Sequence, residues 1–266
     1  MRLALNVEYD GSRFRGWQKQ PTGDTVQGTL EAALSKVAGT SVEVVCAGRT
    51  DAGVHATGQI VHFDCPCERS LNAWVRGCNT FLPPSIAVRW AQPVADDFHA
   101  RFSAYARRYR YLLINRPQRL GVWHGRAGWY HPPLQLEPMQ IAAGLLLGEQ
   151  DFSAFRAAEC QAHSPVRVLH QAVLQRYGET IVFDFSANAF LHHMVRNLVG
   201  TLVYIGQGKH PPEWISTLLA AKERRLAAPT FAAAGLYLSE VKYAASWGLP
   251  EFMPTDLPFL PLASQA

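Results

Sequence analysis

The sequence predicts an α+β fold made of two similar halves, and three observations predict it. Several short runs alternate apolar and polar residues with period two, the spacing of half-buried strands. Other runs place apolar residues three and four apart, as one face of a helix does. The order of these runs is strand, helix, two strands, helix, strand in residues 1–104, and residues 105–245 approximate it again. Such an order is typical of split β-α-β sandwiches, with helices packed on an antiparallel sheet.

The elements follow in chain order. Leu3, Leu5 and Val7 alternate with Ala4, Asn6 and Glu8, giving a first strand, and Asp10-Gly11-Ser12 turns the chain. Val26, Leu30, Leu34 and Val37 form one helical face, with Thr25 or Asp24 as its cap and Gly39 as its stop. Val42 to Cys46 and Gln59 to Phe63 read as strands on either side of a glycine-containing loop. Leu71 to Thr80 reads as a second helix and Ile86 to Gln92 as another strand. Tyr109, Tyr111 and Leu113 alternate in a strand from Arg108 to Asn115. Pro138 then opens a helix through Leu147 that Gly148 closes. Val166 to Tyr177 and Thr180 to Ser186 flank the Gly178-Glu179 turn as a hairpin. Phe190 to Ile205 is apolar nearly all round and predicts a buried helix; Pro211 or Pro212 begins another, ending near Ala221, and Gly235 to Tyr243 supplies the last strand. The expected domains are therefore 1–104, 105–245 and a proline-rich tail, 246–266, with Pro250, Pro254, Pro258 and Pro261.

Composition bounds the function. The chain has 266 residues, 48% hydrophobic and 17% charged, and no apolar run approaches the roughly eighteen residues of a membrane helix. The start, Met1 to Asp10, carries no signal-peptide core, and five unevenly spaced cysteines do not suggest a disulfide framework. The expectation is a cytoplasmic protein without a membrane partner. The net charge of +4 conceals an asymmetry: residues 1–130 hold 16 Lys/Arg against 10 Asp/Glu, while residues 131–266 hold 9 against 11. From Phe98 to Leu136 there are seven arginines (Arg101, Arg107, Arg108, Arg110, Arg116, Arg119, Arg126) and no acidic residue. Arginine binds phosphate in bidentate fashion and stacks on bases, so this stretch points to a polyanion; a solvated basic face is the alternative.

Three segments carry candidate chemistry. In Ala47-Gly48-Arg49-Thr50-Asp51-Ala52-Gly53-Val54-His55-Ala56, small residues crowd around one carboxylate and allow a ligand to approach closely; an Asx-type turn that merely links strands is the plainer reading. In Phe190-Leu191-His192-His193-Met194-Val195-Arg196 and beyond, an arginine lies within a buried helix and so needs an acceptor. It can find one in a carboxylate, for which Asp51 is the best candidate, or snorkel to carbonyls or solvent. A carboxylate held in this way suits a nucleophile or electrostatic stabiliser better than a general acid. In Tyr105-Ala106-Arg107-Arg108-Tyr109-Arg110-Tyr111, aromatic residues interleave with arginines, offering stacking surfaces and phosphate contacts, or only an ordinary strand with arginines on its wet face. Cys65, Cys67, His62 and Cys78 lack a second paired ligand set for zinc, and His192 and His193, adjacent on a helix, cannot both face one side of it. Walker, dinucleotide and Gly-x-Ser-x-Gly motifs do not occur.

Together these residues resemble the TruA family of tRNA pseudouridine synthases. The resemblance runs in order through Tyr9-Asp10-Gly11 with Phe14-Arg15-Gly16-Trp17-Gln18, Thr25-Val26-Gln27, Gly48 to Ala56, Phe98-His99-Ala100-Arg101-Phe102, Arg107 to Tyr111, Asp151-Phe152-Ser153-Ala154-Phe155, Phe190 to Arg196 and Gly235-Leu236-Tyr237-Leu238. It implies the pseudouridine synthase fold, two α+β subdomains like RNA-recognition or ferredoxin folds with sheets joined around a central cleft. It implies isomerisation of uridine to pseudouridine at positions 38, 39 and 40 of the tRNA anticodon stem-loop by a homodimer, with neither cofactor nor metal. On this resemblance Asp51 is the essential residue, as nucleophile at C1′, base at C2′ or attacker at C6. Tyr109 stacks on the target base, Arg49 assists its flipping, Arg196 holds Asp51, and Leu236 lines the uracil pocket. The competing expectation is a non-catalytic RNA-binding protein of RRM-like modules, in which Asp51 would be indifferent.

Overall fold

The computed structural model describes residues 1–65 and 67–250. The expected proline-rich tail lies, from residue 251 onward, outside the described residues. The chain folds as two compact units. One comprises residues 1–50, 55–104 and 238 onward; the other comprises residues 51–54 and 105–237.

The first unit runs β1 (Arg2–Tyr9), α1 (Val26–Ala38), β2 (Val45–Cys46), β3 (His55–Asp64), α2 (Leu71–Phe81) and β4 (Ile86–Val94). β1 lies antiparallel between β3 and β4, and β2 pairs antiparallel with β3, which gives the spatial order β4-β1-β3-β2. The two helices pack on each other, and α2 also packs on β4. α1 starts and stops where the sequence says. The Thr25 hydroxyl accepts from the Gly28 N–H, and Gly39 ends the helix at φ 76°, a left-handed cap glycine tolerates. β4 carries Pro93, which cannot donate to a ladder, and β4 lies at the sheet edge, where no partner needs that donor.

One strand is much shorter than its sequence suggests. Of Val42 to Cys46, only Val45 and Cys46 pair with β3. Two of the preceding N–H groups are taken by side chains of α1: Val42 N–H donates to Ser35 Oγ at 3.0 Å and Val44 N–H to Glu31 Oε1 at 3.1 Å. Donors used this way are lost to a ladder.

The second unit runs β5 (Ala104–Asn115), β6 (Gly128–Tyr130), α3 (Leu136–Gly144), β7 (Gly148–Asp151), β8 (Val166–Tyr177), β9 (Thr180–Ala187), α4 (Met194–Gly206) and α5 (Trp214–Ala221), with β10 (Leu236–Tyr243) starting in it. β5, β9, β8 and β7 are successive antiparallel neighbours, and short β6 runs parallel to β5. α3 packs on β8 and α4. Helix α3 begins two residues before Pro138. The ring therefore sits in the first turn, where its missing N–H has no intrahelical role. The fold is α+β, as expected, and β6 makes the pairing mixed.

Helix α4 corrects the expected span of Phe190 to Ile205. It begins at Met194, because His193 takes a left-handed conformation at φ 60°. That conformation costs a non-glycine residue free energy and breaks the helical run.

Candidate active site

The loop between β2 and β3 is pinned at both ends by the first unit. The Tyr9 and Thr50 hydroxyls lie 2.7 Å apart, Trp17 N–H donates to the Thr50 carbonyl at 2.9 Å, and Gln59 Nε2 donates to the Gly48 carbonyl at 2.7 Å. On the far side, Gly11 N–H donates to His55 Nδ1 at 3.0 Å. Between these anchors the chain makes a tight turn. Val54 N–H donates to the Asp51 carbonyl at 3.1 Å, and Gly53 supplies the left-handed residue the turn needs, at φ 76°.

The turn, residues 51–54, belongs to the second unit, and there its carboxylate finds its partners. Arg196 Nη1 donates to Asp51 Oδ2 at 3.0 Å, and Arg196 Nε donates to the Phe231 carbonyl at 2.8 Å. The side chains of Arg196 and Asp51 are only 16% and 23% exposed. A guanidinium this sheltered cannot shed its charge and is held by two acceptors set at a fixed angle. Of the two destinations the sequence left open for Arg196, it takes the carboxylate and a carbonyl together.

The second acceptor is itself placed by α4. Asn197, fully buried, donates to the Phe155 carbonyl at 2.8 Å and accepts from the Thr230 hydroxyl at 2.7 Å and Arg224 Nη2 at 3.0 Å. This draws the 224–231 segment onto the helix, and Phe231 N–H donates to the Arg196 carbonyl at 3.2 Å. Gly200 makes the approach possible, since a Cβ there would lie 2.4 Å from the Pro229 carbonyl oxygen.

Two residues not expected at the site also face the carboxylate. His192 Nε2 lies 3.2 Å from Asp51 Oδ1 and His193 Nε2 3.3 Å from Oδ2, with ring centroids 4.0 Å apart. The expectation that adjacent histidines cannot point the same way assumed a helix. Both precede α4, and the left-handed turn at His193 brings the two imidazoles to one side. Burial pushes the His193 pKa below its ordinary value and favours the neutral ring. The donor atoms of Asp51, His192 and His193 lie within 4.8 Å of one another, a spacing that could hold a metal ion. Arg196 already supplies a cation to Asp51 Oδ2, and a second positive charge there would meet its repulsion.

The remaining expected residues lie on other elements. Tyr109 is on β5, 9% exposed, opposite Phe185 of β9 and edge-on to Phe190 at 5.1 Å. Leu236, at the start of β10, is buried and follows Gly235, whose missing Cβ leaves room for the Leu112 carbonyl and the Tyr111 ring. Arg49 is exposed. Tyr111 is fully buried and its hydroxyl donates to the Ala232 carbonyl at 2.9 Å, so it belongs to the core rather than to a stacking surface. Arg108 grips Asp184 in bidentate fashion, at 2.7 and 2.5 Å, and Arg110 shares the same carboxylate at 3.2 Å. Arg116 pairs with Glu179 at 3.0 Å. Part of the acid-free arginine stretch is thus neutralised by acids from the second half of the sequence.

Comparison with known proteins identifies the family of the chain. A family model described as tRNA pseudouridine synthase matches residues 5–103 and 142–244. A tRNA pseudouridine synthase A from Dechloromonas aromatica (strain RCB) is 64% identical over 256 residues, covering 96% of this chain and 97% of that protein. Proteins of the same name from Nitrosomonas eutropha and Methylobacillus flagellatus are 56% and 57% identical, covering 95% and 94% of this chain and 91% and 96% of theirs. A carboxylate in a glycine turn, held by a sheltered arginine, thus lies in a chain that belongs to the tRNA pseudouridine synthase family.

Proposed function

We propose that this isomerase converts uridine to pseudouridine at positions 38, 39 and 40 of the tRNA anticodon stem-loop, with Asp51 as its essential residue. The observation that carries the reading is the Asp51–Arg196 pair, 3.0 Å apart and joined across 145 residues of sequence. The reaction balances within the substrate. The C1′–N1 bond breaks and N1 leaves with its electron pair, the uracil turns, C5 bonds to C1′, the C5 proton departs and N1 gains a proton. No electrons are gained or lost overall, so the step needs no redox partner, and one carboxylate can serve it as nucleophile at C1′, base at C2′ or attacker at C6. Arg196 orients that carboxylate through its second bond to Phe231. Tyr109, packed edge-on to Phe190, offers its face to the base, Leu236 an apolar wall, and exposed Arg49 a group to fill the stack when the uridine is turned out.

The enzyme acts as a homodimer in this reading, which sedimentation of the free protein checks. A purely RNA-binding role gives no reason for a sheltered carboxylate ringed by an arginine and two imidazoles. The test is Asp51→Asn: tritium release from tRNA carrying C5-labelled uridine falls to background while tRNA binding persists. Activity retained in that variant would remove Asp51 from the mechanism.

A further inference from the structure

The turn between β4 and β5 holds up an aromatic ring that the core does not use. Phe102 is 74% exposed. Every backbone N–H from Phe98 to Ser103 nevertheless has an acceptor. Phe98 donates to the Ala95 carbonyl at 2.9 Å, His99 to Ser103 Oγ at 2.9 Å and Ala100 to His62 Nδ1 at 3.1 Å. Arg101 and Phe102 both donate to His99 Nδ1 at 3.2 Å, and Ser103 donates to the His99 carbonyl at 2.8 Å. Beneath the turn, Phe98 is fully buried against Tyr243 and Trp247, at 5.2 and 5.3 Å, and the Tyr243 hydroxyl donates to the Ala100 carbonyl at 2.6 Å. A turn so completely bonded fixes where its side chains point.

It points Phe102 outward with support. The His99 ring lies 4.3 Å from the Phe102 ring at 30°, and the Arg101 guanidinium 5.4 Å from its centroid. His99 Nδ1 accepts two N–H groups, which demands its lone pair and a neutral ring, and burial lowers the pKa of His99 in the same sense. The result is an exposed flat ring supported by a second ring and by a cation placed over it.

We propose that Phe102, backed by His99 and flanked by Arg101, is a stacking platform for an unpaired base of the RNA substrate, outside the catalytic loop. The proposal rests on the reading that this chain acts on tRNA. Two features favour a nucleobase. The turn carries Arg101 and leads into the seven arginines of the stretch Phe98 to Leu136, which favour a nearby phosphate and outnumber the exposed Asp96 and Asp97 that precede Phe98. A single rigid ring with an adjacent guanidinium suits the face of a base and its backbone, whereas a docking peptide helix needs a row of apolar anchors.

The test measures affinity for tRNA at fixed ionic strength in Phe102→Ala, Phe102→Leu and Phe102→Tyr, using the full chain. Stacking predicts roughly tenfold weaker binding for both Ala and Leu, from the loss of one base–aromatic contact, and near wild-type affinity for Tyr. It also predicts that 5-iodouridine-substituted tRNA crosslinks to Phe102 on irradiation. Wild-type affinity in Phe102→Ala or Phe102→Leu overturns the platform, as does a loss of dimer on sedimentation of Phe102→Ala, which would assign the ring to a second copy of the chain. Pseudouridine formation by the wild-type enzyme separates the two failures. If it occurs and Phe102→Ala binds normally, only the platform falls; if it is absent, the tRNA reading and the platform fall together. Unchanged melting temperatures confirm that the variants fold.

Discussion

Arg196 acts through two bonds, and its replacements separate charge from geometry. Methionine keeps most of the volume and leaves the sheltered Asp51 carboxylate without its cation; lysine restores the charge but cannot reach both Asp51 Oδ2 and the Phe231 carbonyl with a planar fork. We expect Arg196→Met to lower the single-turnover rate by at least about a hundredfold, and Arg196→Lys to recover only a small part of it. A wild-type rate in Arg196→Lys would show that the second bond is idle. This pair was legible in the sequence, since an arginine in an apolar run demands an acceptor and few carboxylates lie among glycines. His192 and His193 were not. Histidine is among the few non-glycine types enriched in the left-handed region, but the apolar run on either side of the pair masks where the helix begins.

Elements set the positions of these groups, and two of them can be tested separately. Gly200→Ala would push a methyl toward the Pro229 carbonyl, 2.4 Å from where it must sit, and the backbone there has little freedom to yield. We expect a loss of about 1–3 kcal/mol in unfolding free energy, with a fall in turnover because the same segment carries the Phe231 carbonyl. Strand β3 holds a different constraint. His62, 4% exposed, accepts the Ala100 N–H at Nδ1, and burial pushes its pKa down from 6.5 to about 4. The unfolded chain takes up this proton first, so stability is complete above pH 6.5 and declines as the pH falls toward 4. The expected loss is about 2 kcal/mol between pH 6.5 and 5, read from urea unfolding, and His62→Gln should flatten that slope. At this scale the helices and the long strands were visible in the apolar spacing. Val42 to Val44 misled because side chains of α1 intercept its donors, and β6 and β7, three and four residues long, are too short to show a period.

For the whole molecule, the charge asymmetry of the sequence changes meaning once register is known. Arg110 lies directly opposite Asp184 across β5 and β9, and Arg108 reaches the same carboxylate. Cross-strand partners some 75 residues apart cannot be inferred from local composition. The basic stretch still favours a polyanion, but part of its charge stabilises the sheet instead of meeting phosphate. The α+β class survives this correction because it depends on the order of elements alone.

The 145 residues that separate Asp51 from Arg196 also order events during synthesis. The carboxylate leaves the ribosome long before the cation that orients it, and the Phe231 carbonyl that steadies that cation follows later still. A nascent chain therefore carries the acid without the rest of the pair, on a machine crowded with tRNA. On the proposed role of this pair, a chain that stops short of residue 231 holds the acid without the bonds that orient it.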